Sequence, residues 1–103
     1  MTTVELLTAA RARVAAGWFQ GHYFSEGSGK CCAAGALSPS SPRNGVYAAE
    51  HSEAHALLRR AIKPDDPGWN DLTHWNDHPK RTQVEVLAAY DAAIALAQAQ
   101  ETV

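Results

Sequence analysis

Residues 82–98 read TQVEVLAAYDAAIALAQ and carry a clear helical period. Their larger apolar residues recur at intervals of three and four, which places them on one helical face. These residues are Val86, Leu87, Tyr90, Ile94 and Ala97. Thr82 and Glu85 have the spacing of a capping box, in which each side chain bonds the other residue's backbone N–H. The stretch therefore predicts a helix that begins at Thr82 and runs to about Gln98.

Two earlier segments show the same period. The first begins at Thr2 with Glu5 three residues later, a second capping-box spacing. We expect Gly17 to end this helix as a left-handed C-cap. Its apolar face comprises Val4, Leu7, Ala10, Val14 and Trp18. The second segment covers residues 46–62 and is stopped by Pro64. Its face comprises Tyr47, His51, Ala54, Leu58, Ala61 and Ile62.

The remaining segments predict shorter elements. Residues 31–37 (CCAAGAL) read as a short helix of small side chains, and residues 38–45 (SPSSPRNG) as a loop. Residues 69–79 (WNDLTHWNDHP) are aromatic and turn-rich, typical of one or two short helical turns. No segment has the strict apolar–polar alternation of a half-buried strand. The sequence predicts an all-α single domain over residues 1–103, with about four helices and this aromatic segment before the last one.

Charge and composition exclude several classes of function. The 103 residues carry a net charge of −2, and their basic residues are scattered among acids, which disfavours nucleic-acid binding. No apolar run approaches the roughly 18 residues that a transmembrane helix needs. Glu5 stands where a signal peptide would carry Lys or Arg. We therefore expect a cytoplasmic protein that binds neither nucleic acid nor membrane.

Histidine pairs are the candidate metal ligands. His51 and His55 lie four residues apart on a predicted helix, and His74 and His78 repeat that spacing. Cys32 would add a soft ligand to the first pair. The chain has neither the H-E-x-x-H motif nor C-x-x-C. We therefore interpret His51 and His55 as half-buried boundary residues of an amphipathic helix and expect no metal and no cofactor.

The two cysteines are adjacent, which rules out a disulfide framework. Alanines surround Cys32, an environment typical of an inert buried thiol rather than a catalytic nucleophile. Cys31 should be the more exposed thiol, since it lies about 100° further round the predicted helix. We expect no catalytic residue in this chain.

Tryptophans and alanines supply the candidate contacts. Trp18, Trp69 and Trp75 are expected in the core, with a partner-binding role as the alternative for Trp69. The last helix carries no charge between Asp91 and Glu101 and has alanine on nearly every side. Covering such a surface is favourable. We expect this helix to contact a second copy or another protein through Ala92 and Ala93, and a glutamate at either position to disrupt that contact.

Four short segments occur in a familiar order: WFQG at 18–21, CAAGAL at 32–37, WND at 75–77 and RTQVEVL at 81–87. Together they resemble a small domain family of unknown function from actinobacteria and their phages, with W-x-Q-G, C-x-x-G-A-L and W-N-D…R-T-x-x-E-V motifs. The extra Cys31 and the long 38–45 loop depart from that pattern. Because the family has no assigned activity, the resemblance implies fold and context but no catalytic residue.

The motifs also have a structural interpretation. Trp75 would pack under the last helix, Asp77 and Thr82 would cap it, and Cys32 with Gly35 would form a tight helix crossing. The leading functional hypothesis is a non-enzymatic protein-interaction module. The alternative is a metal- or thiol-dependent enzyme or sensor that uses Cys32 with His51 and His55. A virion or DNA-associated structural role is disfavoured by the charge.

Overall fold

A computed structural model describes residues 2–21, 30–33, 35–37, 48–62 and 72–101, with backbone only at 48–52 and 101. Over these residues the chain forms four helices and no strand. They are α1 (Thr3–Ala16), α2 (Ala48–Ile62), α3 (Leu72–Asn76) and α4 (Gln83–Glu101). The predicted all-α class is confirmed. The expected loop at 38–45 and Trp69 lie outside the described residues.

Helix α4 packs against both α1 and α2, which also contact each other, and the short α3 rests on α2. The predicted apolar face of α4 is the face that enters the core. Val86, Tyr90 and Ala97 are buried, and Leu87 and Ile94 pack partly buried against the same cluster. Alanines fill the spaces between the few large side chains, so the helices can approach closely.

Both predicted capping boxes are present. Glu5 N donates to Thr2 Oγ1 (3.1 Å) while Thr2 N donates to Glu5 Oε1 (3.0 Å). At α4, Thr82 N donates to Glu85 Oε1 (2.9 Å) and Glu85 N donates to Thr82 Oγ1 (3.3 Å). Helix α4 continues past the predicted end at Gln98, because the alanine and glutamine that follow are good helix formers.

Gly17 ends α1, but the predicted left-handed C-cap is wrong. Its backbone is extended (φ 179°, ψ 123°), and its N–H donates to Arg13 O at 3.1 Å. Glycine is needed at this position for a steric reason. A Cβ at Gly17 would lie 2.9 Å from Lys30 Cγ, closer than van der Waals contact allows.

The predicted helix over 31–37 is also wrong. Cys31 forms an isolated parallel bridge with Trp18: Cys31 N donates to Gly17 O (3.0 Å) and Phe19 N donates to Cys31 O (3.2 Å). Turns follow at 33, 35 and 36, and Leu37 is helical. The backbone groups of Cys31 bond to a distant segment, so they are not available to a local helix.

Helix α2 ends at Ile62, as predicted, and its described part begins at Ala48. Helix α3 is the predicted short helical turn before the last helix. None of the described helices is long and apolar enough to cross a membrane.

Candidate functional site

Asn76, the last residue of α3, is fully buried and joins segments distant in sequence. Its Oδ1 accepts from Trp18 Nε1 (2.6 Å) and from Ala33 N (2.9 Å). Its Nδ2 donates to Phe19 O (3.2 Å) and to Asp77 Oδ1 (3.0 Å). The two acceptor sites and two donor hydrogens of the amide are therefore all used. We call residues 18–21, 33 and 76–78 the asparagine junction.

Gln20 and Gly21 hold the outer edge of the asparagine junction. Gln20 Nε2 donates to Asn76 O (2.9 Å) and to His78 O (2.7 Å). Gly21 N donates to Asp77 Oδ1 at 2.9 Å. Gly21 has a φ of 94°, in the left-handed region that favours glycine. Asp77 was expected to cap the last helix; it holds Gly21 and Asn76 instead, so that expectation is wrong.

Arg81 connects α3 to the first turn of α4. Its guanidinium lies 4.1 Å from the centroid of the Trp75 ring, and its Nε donates to Trp75 O (2.9 Å). Its Nη1 donates to Glu85 Oε2 at 3.1 Å. Trp75 is buried, as expected, and the Arg81 guanidinium lies over its ring. The position of Arg81 thus explains an arginine at the start of the RTQVEVL segment.

Tyr90 ties α4 to the same junction. Its hydroxyl donates to Ala33 O at 2.5 Å, and its ring is fully buried. Burial, followed by the nearby thiols of Cys31 and Cys32, raises the pKa of Tyr90 well above its ordinary value. The WFQG, CAAGAL and WND segments therefore meet around the buried amide of Asn76, and Tyr90 of α4 bonds to the CAAGAL segment at Ala33.

The model of a family of unknown function, DUF6197, matches residues 1–96. The chain belongs to this family. No curated protein and no solved structure matches the chain. Membership confirms the resemblance drawn from the motifs to a small domain of unknown function.

Both thiols of this family member are buried. Cys32 is 1% exposed, and its Sγ accepts from Gly35 N (3.2 Å). Residues 33, 35 and 36 form turns and not a helix, so the predicted helix crossing at Cys32 and Gly35 is wrong. Cys31 is 3% exposed, slightly more than Cys32 as expected, but it is buried as well. Its bridge to Trp18 draws it inward, and its Sγ donates to Gly17 O (3.8 Å). Burial raises the pKa of Cys31 to about 11, so thiolate is scarce at neutral pH.

The candidate metal ligands do not form a cluster in the described part of the chain. His55 is half-buried, while His74 and His78 are exposed. The side chain of His51 lies outside the described residues. Among those that are described, no group of three or more His, Cys, Asp or Glu is placed to hold a metal ion, and Cys32 belongs to none.

The two candidate contact residues of α4 differ in solvent exposure. Ala92 is exposed, but Ala93 is fully buried, so its expected role as a surface contact is wrong. Ala93 lies three residues after Tyr90 and seven after Val86, which puts it on the core face. That spacing was visible in the sequence and marks Ala93 as a core residue.

The outward side of α4 is apolar and exposed. We define the outer face of α4 as Val84, Ala88, Ala92, Ala95 and Ala99, all of them exposed, with Val84 at 74%. Asp91 borders this face, and both of its carboxylate oxygens accept from Arg11, Oδ1 from Nε (2.6 Å) and Oδ2 from Nη2 (3.3 Å). The charge nearest the centre of the face is thus already compensated.

Two functional-site residues were missed by sequence reasoning. The roles of Asn76 and Tyr90 depend on partners 43 to 58 residues away, which no local period reveals. The available signal was the co-occurrence of the WFQG and WND segments. The hydrogen-bond donors and acceptors of the asparagine junction hold these segments together.

Proposed function

We propose that this chain is a small cytoplasmic, non-enzymatic protein-interaction module of actinobacterial or phage origin. The outer face of α4 binds a second copy of the chain. The observation that carries this proposal is that face itself: Val84 and four alanines are exposed on one side of a long helix, and no charged residue stands between Asp91 and Glu101. Removing such a surface from water gains roughly 25 cal/mol per Å².

The size of the surface favours a weak dimer. A helix of 19 residues is about 28 Å long, so a face about 10 Å wide offers roughly 300 Å² per copy. The neighbouring side of α1 adds Thr8 and Ala15, which flank Arg11 at helical spacing and are exposed. Over two copies the α4 face gives roughly 600 Å², and the α1 residues add to it, so the interface lies below or near the lower bound of about 1,000 Å² for a specific interface.

A second copy suits this surface in shape and charge. Alanines on both sides let two helices approach to the short end of the usual 8–10 Å range. A two-fold interface brings the same residues of both copies together, so an uncompensated Asp91 would face a like charge. The bidentate pairing with Arg11 removes that repulsion. The surface is therefore compatible with itself.

The asparagine junction supports the non-enzymatic part of the proposal. The amide of Asn76 is committed to four internal hydrogen bonds, and the motif residues around it serve the fold. Burial of Cys32 favours the interaction module over the thiol- or metal-dependent alternative with His51 and His55.

Sedimentation equilibrium over a series of micromolar and higher concentrations tests the proposal. We expect a reversible monomer–dimer equilibrium that Ala92→Glu weakens at least tenfold, with unchanged helical circular dichroism. Ala56→Glu is the matched control, since it makes the same substitution at an exposed position of α2. A monomer at every concentration, or equal dimerisation of both variants, would overturn the proposal. Capture of a different protein that Ala92→Glu abolishes would replace the second copy as occupant.

A further inference from the structure

No further inference is drawn: the strongest candidate beyond the outer face of α4, the buried indole N–H of Trp75 beneath the Arg81 guanidinium, has no hydrogen-bond partner, and nothing in the described residues shows what group it would bind.

Discussion

The asparagine junction and the outer face of α4 differ in solvent exposure and in hydrogen bonding. At the junction, Asn76 is fully buried and every polar atom of its side chain has a partner. On the outer face, Val84 is 74% exposed, and Ala88, Ala92, Ala95 and Ala99 are exposed as well. One region is completed within the chain, whereas the other leaves apolar surface in water.

This difference separates what the motifs do from where an interaction would occur. The WFQG, CAAGAL and WND segments contribute to a junction that stabilises the fold, so their recurrence does not require an active site. Most of the outer face follows the last motif segment, from Ala88 onward. The proposed contact therefore lies on the exposed apolar surface of α4 and not at the motifs.

The largest effect is expected at Ala93, which lies on the core face of α4 next to Ala92 of the outer face. Ala93→Glu places a carboxylate at a fully buried position among apolar side chains. We expect a loss of about 4 kcal/mol or more in the free energy of unfolding, enough to unfold a small domain. Urea denaturation followed by circular dichroism measures it.

Ala92→Glu is the control for that substitution, because Ala92 is the exposed neighbour, about 100° away around α4. At concentrations where the chain is monomeric, its free energy of unfolding should change by less than about 0.5 kcal/mol. Equal destabilisation by the two variants would contradict the assignment of the outer face and the core face.

Local signals predicted the helices well and the junction poorly. The spacing of Thr2 with Glu5 and of Thr82 with Glu85 located the starts of α1 and α4, because a capping box involves residues three apart. Cys31 was placed in a helix because its neighbours are small, but its backbone pairs with Gly17 and Phe19. Such pairings between distant segments override local propensity, so the extended strand-like segment was not predictable from its own composition.

The next largest effect tests the asparagine junction. Asn76→Asp keeps the shape of the side chain but replaces the Nδ2 donor with an oxygen that faces Phe19 O and Asp77 Oδ1. We expect a loss of about 2–3 kcal/mol at neutral pH, the cost of opposed buried acceptors. The new carboxyl should have a folded pKa above its unfolded value of about 3.9, so the loss should grow as pH rises through that range.

Urea denaturation of the Asn76→Asp variant and of the unmodified chain measures this loss of unfolding free energy. The measurements run from about pH 3.5 to about pH 7, roughly the range over which a carboxyl group in a protein titrates. Asp77→Asn serves as a second variant, since it reduces the negative charge beside residue 76. A difference that is small and constant with pH would show that Asn76 does not hold the junction.

A smaller effect is expected at Gly17, where the chain leaves α1 for the asparagine junction. Gly17→Ala needs no left-handed conformation, but its Cβ would lie 2.9 Å from Lys30 Cγ. We expect a loss of about 1 kcal/mol that disappears in the Lys30→Ala background, where the crowding atom is absent. A double-mutant cycle in urea measures the coupling. An equal loss in both backgrounds would point to backbone strain instead of crowding.

The smallest effect is expected at the two capping boxes, one at the start of α1 and one at the start of α4 beside the asparagine junction. Hydrogen bonds from Thr2 and from Thr82 lower the pKa of Glu5 and of Glu85, respectively, below the ordinary value of 4.5. A carboxyl whose pKa is lowered by folding stabilises the protein above its unfolded pKa, and that contribution is lost as pH falls through the folded pKa. Stability should therefore decline below about pH 4.5, and Glu5→Gln and Glu85→Gln should each flatten the decline.

Glu85 should have the larger share, since its carboxylate also accepts from the Arg81 guanidinium that stacks on Trp75, whereas Glu5 bonds only within its capping box among the contacts described. Thermal unfolding of both variants between pH 3 and 6, roughly the range over which these carboxyls titrate, gives the two slopes. If Glu5→Gln flattened the acid decline more than Glu85→Gln, the contact with Arg81 would add nothing to the second box. The link between the junction and the start of α4 would then depend on the contacts of Arg81 with Trp75, namely the stacking on its ring and the hydrogen bond from Arg81 Nε to Trp75 O.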